Sequence, residues 1–369
     1  MDKTSDCAMN TAEIIEKARQ RLHAMPELAC EEVKTKAFII DFLRAHTSME
    51  VHDMGRWLFA AHFEQAGETV AFRADFDAVP TESGGAAHRC GHDGHTAALL
   101  GLALLLEGKK VGRNVILLFQ HAEEVGFGAP ECCRLFELEH IDKMYGCHNI
   151  PGEQMGRVLL RKGTFACASC GLEIKFIGKP THAAYPENGV NPTPAVSRLA
   201  LALPQMAEEI EKRGGAMTIA TIVGMYTGEK AFGVAAAQGA LYATLRSENG
   251  ACLEELLNSA KTEAQKLADE YGLQLSIGLY DKFPATVNTD NMVDEAEHVL
   301  NSAGLDHKYL EMPFRWSEDF GHYGKYTSAM FFGIGSGEDT CPLHTEGYVY
   351  PEGLAAKTAQ VMLALICAS

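Results

Sequence analysis

Apolar residues recur at helical spacing early in the chain and then give way to short apolar runs. Residues 11–28 and 31–46 have the spacing of amphipathic helices, and Pro26 ends the first of them. The runs at residues 57–63 and 69–76 predict two strands, and the polar residues between them predict a hairpin turn. The opening of the chain therefore predicts two helices followed by a β-hairpin.

The following segments alternate between apolar strands and apolar helices. Residues 96–107 predict a helix, and residues 114–120 and 144–151 predict buried strands on either side of more polar stretches. Residues 328–334 and 354–367 predict a further buried strand and a closing helix. Such alternation is typical of a mainly parallel sheet, which places its chemistry at the carboxyl ends of the strands.

The texture changes near residue 166, where alternating strands and long amphipathic helices follow one another in the order βαββαβ. The predicted elements are a strand at 169–178, a helix at 192–213, strands at 218–225 and 240–246, a helix at 251–271 and a strand at 273–280. This order predicts a ferredoxin-like α+β unit inserted into the main domain. We therefore predict an α/β catalytic domain formed by residues 1–165 and 284–369, and an inserted domain formed by residues 166–283.

Composition and charge narrow the classes of function. The chain has 369 residues, of which 47% are hydrophobic, and 32 Lys and Arg face 49 Asp and Glu, for a net charge of −17. This charge argues against nucleic acid and anionic membranes as partners and leaves a small molecule as the expected substrate. The eleven cysteines are odd in number and scattered, and neither a signal peptide nor an apolar run of about 18 residues is seen. We therefore expect a cytoplasmic protein.

Residues 88–96, HRCGHDGHT, form the richest concentration of metal-ligand side chains. A thiolate at Cys90 and an imidazole at His92 can converge on one ion where the chain turns, and Gly91 and Gly94 permit the required backbone angles. The segment predicts one corner of a metal site. An exposed, redox-sensitive loop is the alternative interpretation.

Further ligand-type residues lie at strand ends or in the loops that follow them. Together with the first corner they are Asp75, Asp77, Cys90, His92, Glu123, Glu124, His148 and His344. Glu123 and Glu124 would ordinarily be a solvated pair of charges. Because they follow a buried strand, that interpretation is weaker here, since two like charges at such a position need a cation.

A set of motifs in this order resembles the metallopeptidase-related amidohydrolases, which include hippurate hydrolase, indoleacetyl-amino-acid hydrolase and N-acetyl-diaminopimelate deacetylase. The matching segments are HAMPELACEE (23–32), RADFDAVP (73–80), HRCGHDGHT (88–96), FQHAEEVGFGA (119–129), GCHNIP (146–151), GKPTHAAYPENGVNP (178–192), SEDF (317–320) and PLH (342–344). The resemblance spans essentially the whole chain. It implies a zinc-exopeptidase-like catalytic domain and an inserted domain that acts as a lid and dimerisation domain, and therefore a homodimer.

The resemblance also implies a binuclear metal site. The implied ligands are Cys90, His92, Glu124, His148 and His344. Cys90 looks like the substitute for the His of the clan's His-x-Asp motif, where this chain has Asp75, and it could bridge the two ions. One Cys, three His and one Glu suit zinc or manganese, or nickel or cobalt, better than calcium or magnesium.

Glu123 and Asp77 are the expected catalytic carboxylates, and the resemblance implies the role of the first. Glu123 is assigned as the general base that takes a proton from a metal-activated water and later returns it to the leaving amine. Asp77 is interpreted as a carboxylate that orients a ligand imidazole, the alternative being an ordinary carboxylate at a strand end.

Three residues of the inserted domain complete the implied site. His182 resembles the family histidine that steadies the oxyanion, often across a dimer interface, although a lone loop histidine is usually idle. Arg246 resembles the arginine that grips a substrate carboxylate, the alternative being a surface arginine. Asn191 stands where the family has an Asp and is also assigned to substrate binding. Gly233 stands where related enzymes have an Asn that binds this carboxylate, so recognition of the carboxylate departs from the family pattern here.

Together these features predict a metal-dependent amidohydrolase that cleaves an N-acyl amino acid into a carboxylate and an amine. A dipeptidase or aminopeptidase of the same clan is one alternative. A non-catalytic, metal-binding dimer that keeps the fold as a scaffold is the other, and retention of Glu123 beside five ligands argues against it.

Overall fold

The computed structural model describes residues 3–64 and 67–367. The helices are α1 Lys3–His23, α2 Val33–His46, α3 His92–Leu106, α4 Gly128–Cys132, α5 Leu135–Leu138, α6 Thr193–Gly214, α7 Gly250–Tyr271, α8 Asp290–Ala303 and α9 Leu354–Cys367, with 3₁₀ turns at Pro186–Asn188 and Asp319–Lys325. The strands are β1 Glu50–Asp53, β2 Leu58–His62, β3 Thr69–Asp75, β4 Val79–Pro80, β5 Ala86–Ala87, β6 Asn114–Gln120, β7 Lys143–Pro151, β8 Val158–Leu160, β9 Gly163–Ala166, β10 Ala168–Ile177, β11 Thr181–His182, β12 Thr218–Thr227, β13 Val234–Ala235, β14 Gln238–Ser247, β15 Gln274–Phe283, β16 Thr286–Asn288, β17 His307–Tyr309 and β18 Ser328–Gly337.

The chain divides into two compact units. The first contains the described residues of Met1–Phe165, Val287–Met312 and Asp319–Ser369, and the second contains Ala166–Thr286 and Pro313–Glu318. None of the described helices combines the length and apolarity that a membrane crossing requires. The ten cysteines that the structure describes side chain by side chain are all free thiols.

The first unit is built on an eight-stranded sheet in the order β1-β2-β6-β3-β7-β18-β8-β17. The central strands β6, β3, β7 and β18 run parallel to one another, and antiparallel pairs lie toward the edges. Helix α3 is buried along nearly its whole length, with Leu99, Leu100 and Leu102 fully inaccessible in the main core. The unit therefore has the predicted α/β architecture with a mainly parallel central sheet.

The predicted hairpin of the first two apolar runs is wrong. Strand β6 lies between β2 and β3 in the sheet, and β2 pairs in antiparallel fashion with β1 and β6. Residues 65 and 66 of the predicted turn lie outside the described residues. All seven residues of β3 are buried, so this strand belongs in the middle of the sheet between two parallel neighbours, where a short hairpin would not place it.

Two helix boundaries also differ from the prediction, and the first of them involves residues of the site. Helix α3 begins at His92 rather than at residue 96, so His92, Asp93 and His95 belong to its first turn. Helix α1 ends at His23, before Pro26. The start of α3 was not predicted because His92, Asp93 and His95 are polar, so the hydrophobic pattern does not show the helical period there.

The second unit contains a four-stranded antiparallel sheet in the order β12-β14-β10-β15. Helices α6 and α7 pack against this sheet, and residues such as Leu199, Leu245 and Leu256 are fully buried in a core of their own. A separate pair, β11 and β13, carries His182 in register with Val234. The elements of the four-stranded sheet follow the order strand, helix, strand, strand, helix, strand along the chain.

Candidate metal centre

Ligand-type side chains from several elements of the first unit converge beyond the carboxyl ends of its parallel strands. The ligand atoms of Cys90, His92 and His148 lie within 4.8 Å of one another, and the same holds for Cys90, Glu124 and His344. A third group of this kind is His92 with Glu123 and Glu124. The structure therefore brings the five predicted ligands and Glu123 into one cluster.

Cys90 and His148 form a buried contact within the cluster. Cys90 Sγ lies 3.4 Å from His148 Nε2. His148 Nδ1 donates to the carbonyl oxygen of Asn149 at 2.9 Å, so Nε2 is the nitrogen that can act as a ligand. Burial, and then the neighbouring His95, hold the pKa of His148 well below its usual range, which favours the neutral imidazole that a metal requires.

His92 is oriented by Asp77, and its Nε2 lies close to the carboxylates of Glu123 and Glu124. Its Nδ1 donates to the backbone oxygen and to Oδ1 of Asp77, at 3.0 and 3.2 Å. Its buried Nε2 makes no hydrogen bond within the described residues, and it lies 3.7 Å from Glu124 Oε1 and 4.0 Å from Glu123 Oε2. Burial lowers the pKa of His92, but Asp75, Asp77 and Glu124 together raise it to about 10. The surroundings of Nε2 therefore strongly favour a positive charge.

Asp77 connects two parts of the cluster. Besides His92 it contacts the loop after β6 that carries Glu123 and Glu124, here called the glutamate loop. The backbone N–H of Glu124 donates to Asp77 Oδ2 at 3.0 Å. The carboxylate is completely buried. It can thus fix both the imidazole of His92 and the backbone that carries the glutamate pair.

His344 approaches the cluster from the loop that follows β18. Its Nε2 lies 3.4 Å from Glu124 Oε1, and its backbone N–H donates to the carbonyl oxygen of Arg89 at 2.8 Å. The residue has a φ of +62°, a region that non-glycine residues occupy at a cost. Its side chain is 53% exposed, so this edge of the cluster is open to solvent.

The donor set of the cluster fits divalent metal cations. Burial, and then Glu124, Glu123 and Asp75, hold the pKa of the Cys90 thiol well above its usual range. A thiolate at this position therefore needs a strong adjacent positive charge, and the carboxylates near His92 Nε2 favour a positive charge there as well. A thiolate, imidazoles and carboxylates are donors that bind such cations.

A buried network of polar side chains adjoins the cluster, and the sequence analysis did not predict it. Arg73 donates to Asp75 Oδ2 and to Asp319 Oδ1, both at 2.7 Å. Asp75 Oδ1 lies 2.6 Å from His95 Nδ1, and His95 Nε2 lies 2.5 Å from Asn149 Oδ1. The sequence feature that could have indicated this network was an arginine inside a mainly apolar strand, because an arginine is rarely buried unless its charge is paired.

His182 and Asn191 lie in the second unit. His182 is exposed, and its Nδ1 accepts a hydrogen bond from the backbone N–H of Ala184 at 3.1 Å, which leaves Nε2 as a donor. Asn191 Oδ1 accepts from the backbone N–H of Thr193 at 3.0 Å, where helix α6 begins. The oxygen of Asn191 thus has a structural partner, and its predicted role in substrate binding stays a prediction.

Arg246, also in the second unit, is half-buried on β14. Its Nη1 donates to the carbonyl oxygen of Arg315 at 2.9 Å and to the hydroxyl oxygen of Ser317 at 3.0 Å. Among the described residues no carboxylate forms an ion pair with it, and burial lowers the pKa of its guanidinium. A partly desolvated guanidinium without an acidic partner is suited to bind a carboxylate ligand.

Gly91, which lies between Cys90 and His92 in the sequence, packs closely against Asn149 and Tyr348. It has a φ of +98°, and a Cβ at this position would collide with Asn149 Oδ1 and lie 2.9 Å from the Tyr348 hydroxyl oxygen. We expect Gly91→Ala to lower the free energy of unfolding by about 1–2 kcal/mol from backbone strain and by about 1–3 kcal/mol more from overpacking. The measurement is chemical denaturation of the metal-free protein.

Gly84→Ala is the matched control, because Gly84 has a φ of +82° but no atom within 4 Å of its ideal Cβ position. It is expected to show the strain cost alone. Equal losses of stability for the two variants would contradict the close packing at Gly91.

Comparisons with known proteins found similar chains. A sequence model of peptidase family M20/M25/M40 matches residues 71–368. The chain is 29% identical over 339 residues to an N-acetyl-L-cysteine deacetylase of Bacillus subtilis strain 168, covering 87% of this chain and 80% of that protein. It is 27% identical over 355 residues to an N-acetyldiaminopimelate deacetylase of Oenococcus oeni, covering 89% and 91% respectively. A solved structure of a dinuclear metal-binding M20 peptidase from Bacillus subtilis has the same fold, with a TM-score of 0.81, 22% identity and coverage of 97% and 98%.

Proposed function

The chain belongs to peptidase family M20/M25/M40, and from that premise we propose that it hydrolyses the amide bond of N-acyl amino acids. Its curated relatives include named deacetylases of small N-acetylated amino acids, and the chain is a metal-dependent amide hydrolase of the same family. The observation that carries the proposal is the position of Glu123, which is 6% exposed and lies among the predicted metal ligands rather than on the surface.

We propose that the cluster holds two divalent metal ions. Cys90 belongs to both of the groups that contain a histidine outside helix α3, one with His148 and one with His344. Cys90, His92, Glu124, His148 and His344 would hold the two ions, and the Cys90 thiolate, which belongs to two of the groups, could contact both. Zinc or manganese suits these donors best, and nickel or cobalt suits them as well.

Glu123 is the proposed general base. The bound cations would supply Lewis-acid chemistry by polarising the amide carbonyl and lowering the pKa of a water molecule. Glu123 accepts the proton of that water at a carboxylate oxygen and then gives it to the nitrogen of the leaving amine. Asp77 keeps His92 and the glutamate loop in place during these transfers, because it contacts both.

His182 is the proposed oxyanion donor. Its Nδ1 already accepts a hydrogen bond from Ala184, so the neutral side chain presents an N–H at Nε2. We propose that the second unit, with its βαββαβ order, is a ferredoxin-like lid and dimerisation domain. A homodimer would let His182 act on its own subunit or on the partner subunit.

Arg246 is the proposed recognition residue for the substrate carboxylate. Arg246→Lys is expected to raise KM for N-acyl amino acids by about 10-fold or more with a smaller change in kcat, because a lysine lacks the bidentate fork. The matched substrate is the corresponding N-acyl amine without a carboxylate, for which wild type and variant should be equally slow. A KM that does not change with this substitution would contradict the assignment.

The experiment that tests the proposed function measures amine release from a substrate panel. The panel contains N-acetyl, N-benzoyl and indoleacetyl amino acids together with several dipeptides, each offered to zinc-loaded and manganese-loaded protein. We expect metal-dependent hydrolysis of at least one N-acyl amino acid. Hydrolysis of dipeptides alone would instead identify a peptidase, and no hydrolysis by protein with two metals bound would favour a scaffold.

A further inference from the structure

Glu32, a buried carboxylate outside the metal cluster, makes one contact that bears on the proposed base. The residue is 5% exposed and stands immediately before helix α2. Its Oε1 accepts a hydrogen bond from the backbone N–H of Ala122 at 2.8 Å. Because 90 positions separate the two residues in the sequence, this contact ties the start of α2 to the loop after β6.

The backbone at Ala122 is unusual. Ala122 has a φ of +49° and is completely buried, although residues with a Cβ rarely occupy this left-handed region. Its carbonyl oxygen accepts hydrogen bonds from the backbone N–H groups of Phe127 and Gly128, at 3.2 and 3.1 Å. The partners of its N–H and C=O groups therefore hold Ala122 on both sides in a conformation that it would not adopt by itself.

The left-handed backbone at Ala122 leads directly into the glutamate pair. Ala122 directly precedes Glu123 and Glu124, and two residues later the N–H of Glu124 is held by Asp77. The loop thus has two buried carboxylate anchors, one at each end of the glutamate pair. Asp77 also touches His92, whereas the contact of Glu32 is with the backbone alone.

We propose that Glu32 is a positioning residue: its carboxylate holds the left-handed backbone at Ala122 and thereby aims Glu123 and Glu124 into the metal cluster. The proposal rests on the proposed function only through the roles of those two glutamates. Burial is the largest influence on Glu32 and raises its pKa to about 7, although backbone N–H groups, that of Ala122 among them, oppose the shift. A carboxyl kept at such a buried position, with a backbone N–H as its partner, fits a role in holding the loop.

The test uses substitutions on both sides of the contact. Glu32→Ala removes the acceptor, Glu32→Gln keeps an oxygen acceptor, and Ala122→Gly makes the left-handed conformation easy to adopt. Each single variant and the double variant Glu32→Ala with Ala122→Gly are compared with wild type. The readouts are metal affinity by competition with a coloured chelator, kcat and KM on the hydrolysed substrate, and the melting temperature.

We expect Glu32→Ala to weaken metal affinity or lower kcat by about 10–100-fold, as for other residues that orient metal ligands, with KM nearly unchanged. Glu32→Gln should retain most of the wild-type values, and the double variant should recover most of what Glu32→Ala loses. A double variant as impaired as Glu32→Ala, or a Glu32→Gln as impaired as Glu32→Ala, would overturn the proposal.

Glu32→Asp provides the same test if Glu32→Ala fails to fold. It keeps the charge but shortens the side chain, so metal affinity or kcat should fall in the same direction with less effect on the melting temperature. A Glu32→Asp variant with wild-type affinity and kcat would also overturn the proposal. If wild type hydrolyses no N-acyl amino acid, the proposed substrate fails, while the metal affinities still decide the role of Glu32.

Discussion

Replacing Glu123 with glutamine is expected to lower kcat by about 10²–10⁴-fold while the protein keeps its metals and its fold. The amide keeps the size of the side chain but cannot take a proton from water at neutral pH. Glu123 Oε2 lies 4.0 Å from His92 Nε2, close enough to the predicted ligands to serve them and yet not required to complete the five-ligand set. The measurements are steady-state kinetics and metal content per chain.

Glu124→Gln is the matched control, because it makes the same chemical change at the neighbouring position. Glu124 Oε1 lies 3.7 Å from His92 Nε2 and 3.4 Å from His344 Nε2, so this carboxylate is expected to be a ligand. Its replacement should therefore reduce metal content as well as turnover. Loss of metal from Glu123→Gln with retention by Glu124→Gln would mean that the two roles are exchanged.

Replacing Cys90 with alanine is expected to have the largest effect on metal binding. Its sulfur belongs to a group with His92 and His148 and also to a group with Glu124 and His344. If it bridges two ions, its removal should weaken the binding of both, by more than the roughly 10–100-fold that residues behind the ligands contribute. Metal content after dialysis against a weak chelator measures this effect.

The control for Cys90→Ala is Cys252→Ala, which removes a free thiol from the second unit. This variant should keep wild-type metal content. A Cys90→Ala protein that loses one ion and holds the other with unchanged affinity would contradict the bridging role, since a bridge contributes to both ions.

The pattern of the sequence predicted the buried elements of the fold better than their pairing. Strand β6 has the predicted bounds, because its apolar run is continuous and is flanked by polar residues, and helix α9 also has the predicted bounds. The pairing of β2 with β1 and β6 could not be inferred, since β1 is a short and partly exposed strand with weak alternation. Helix α8 was not predicted, although its buried residues recur at helical spacing.

For the candidate site, the sequence indicated which residues converge but not how they are held. The cluster around Cys90 follows from ligand-type residues at strand ends and from the resemblance to known amidohydrolases. The hydrogen bonds that fix the tautomers of His92 and His148 could not be predicted, because they involve a backbone oxygen of Asp77 and one of Asn149. The same holds for the contact of Glu32 with a backbone N–H, which leaves no trace in residue types.

The central claim is that hydrolysis depends on two cations bound by the cluster around Cys90. It is tested most directly by titrating metal-free protein with zinc or manganese while amine release from the best substrate of the panel is followed. We predict that activity rises until about two equivalents per chain are bound and then stays constant. Full activity at one equivalent, or activity that persists without metal, would contradict the account.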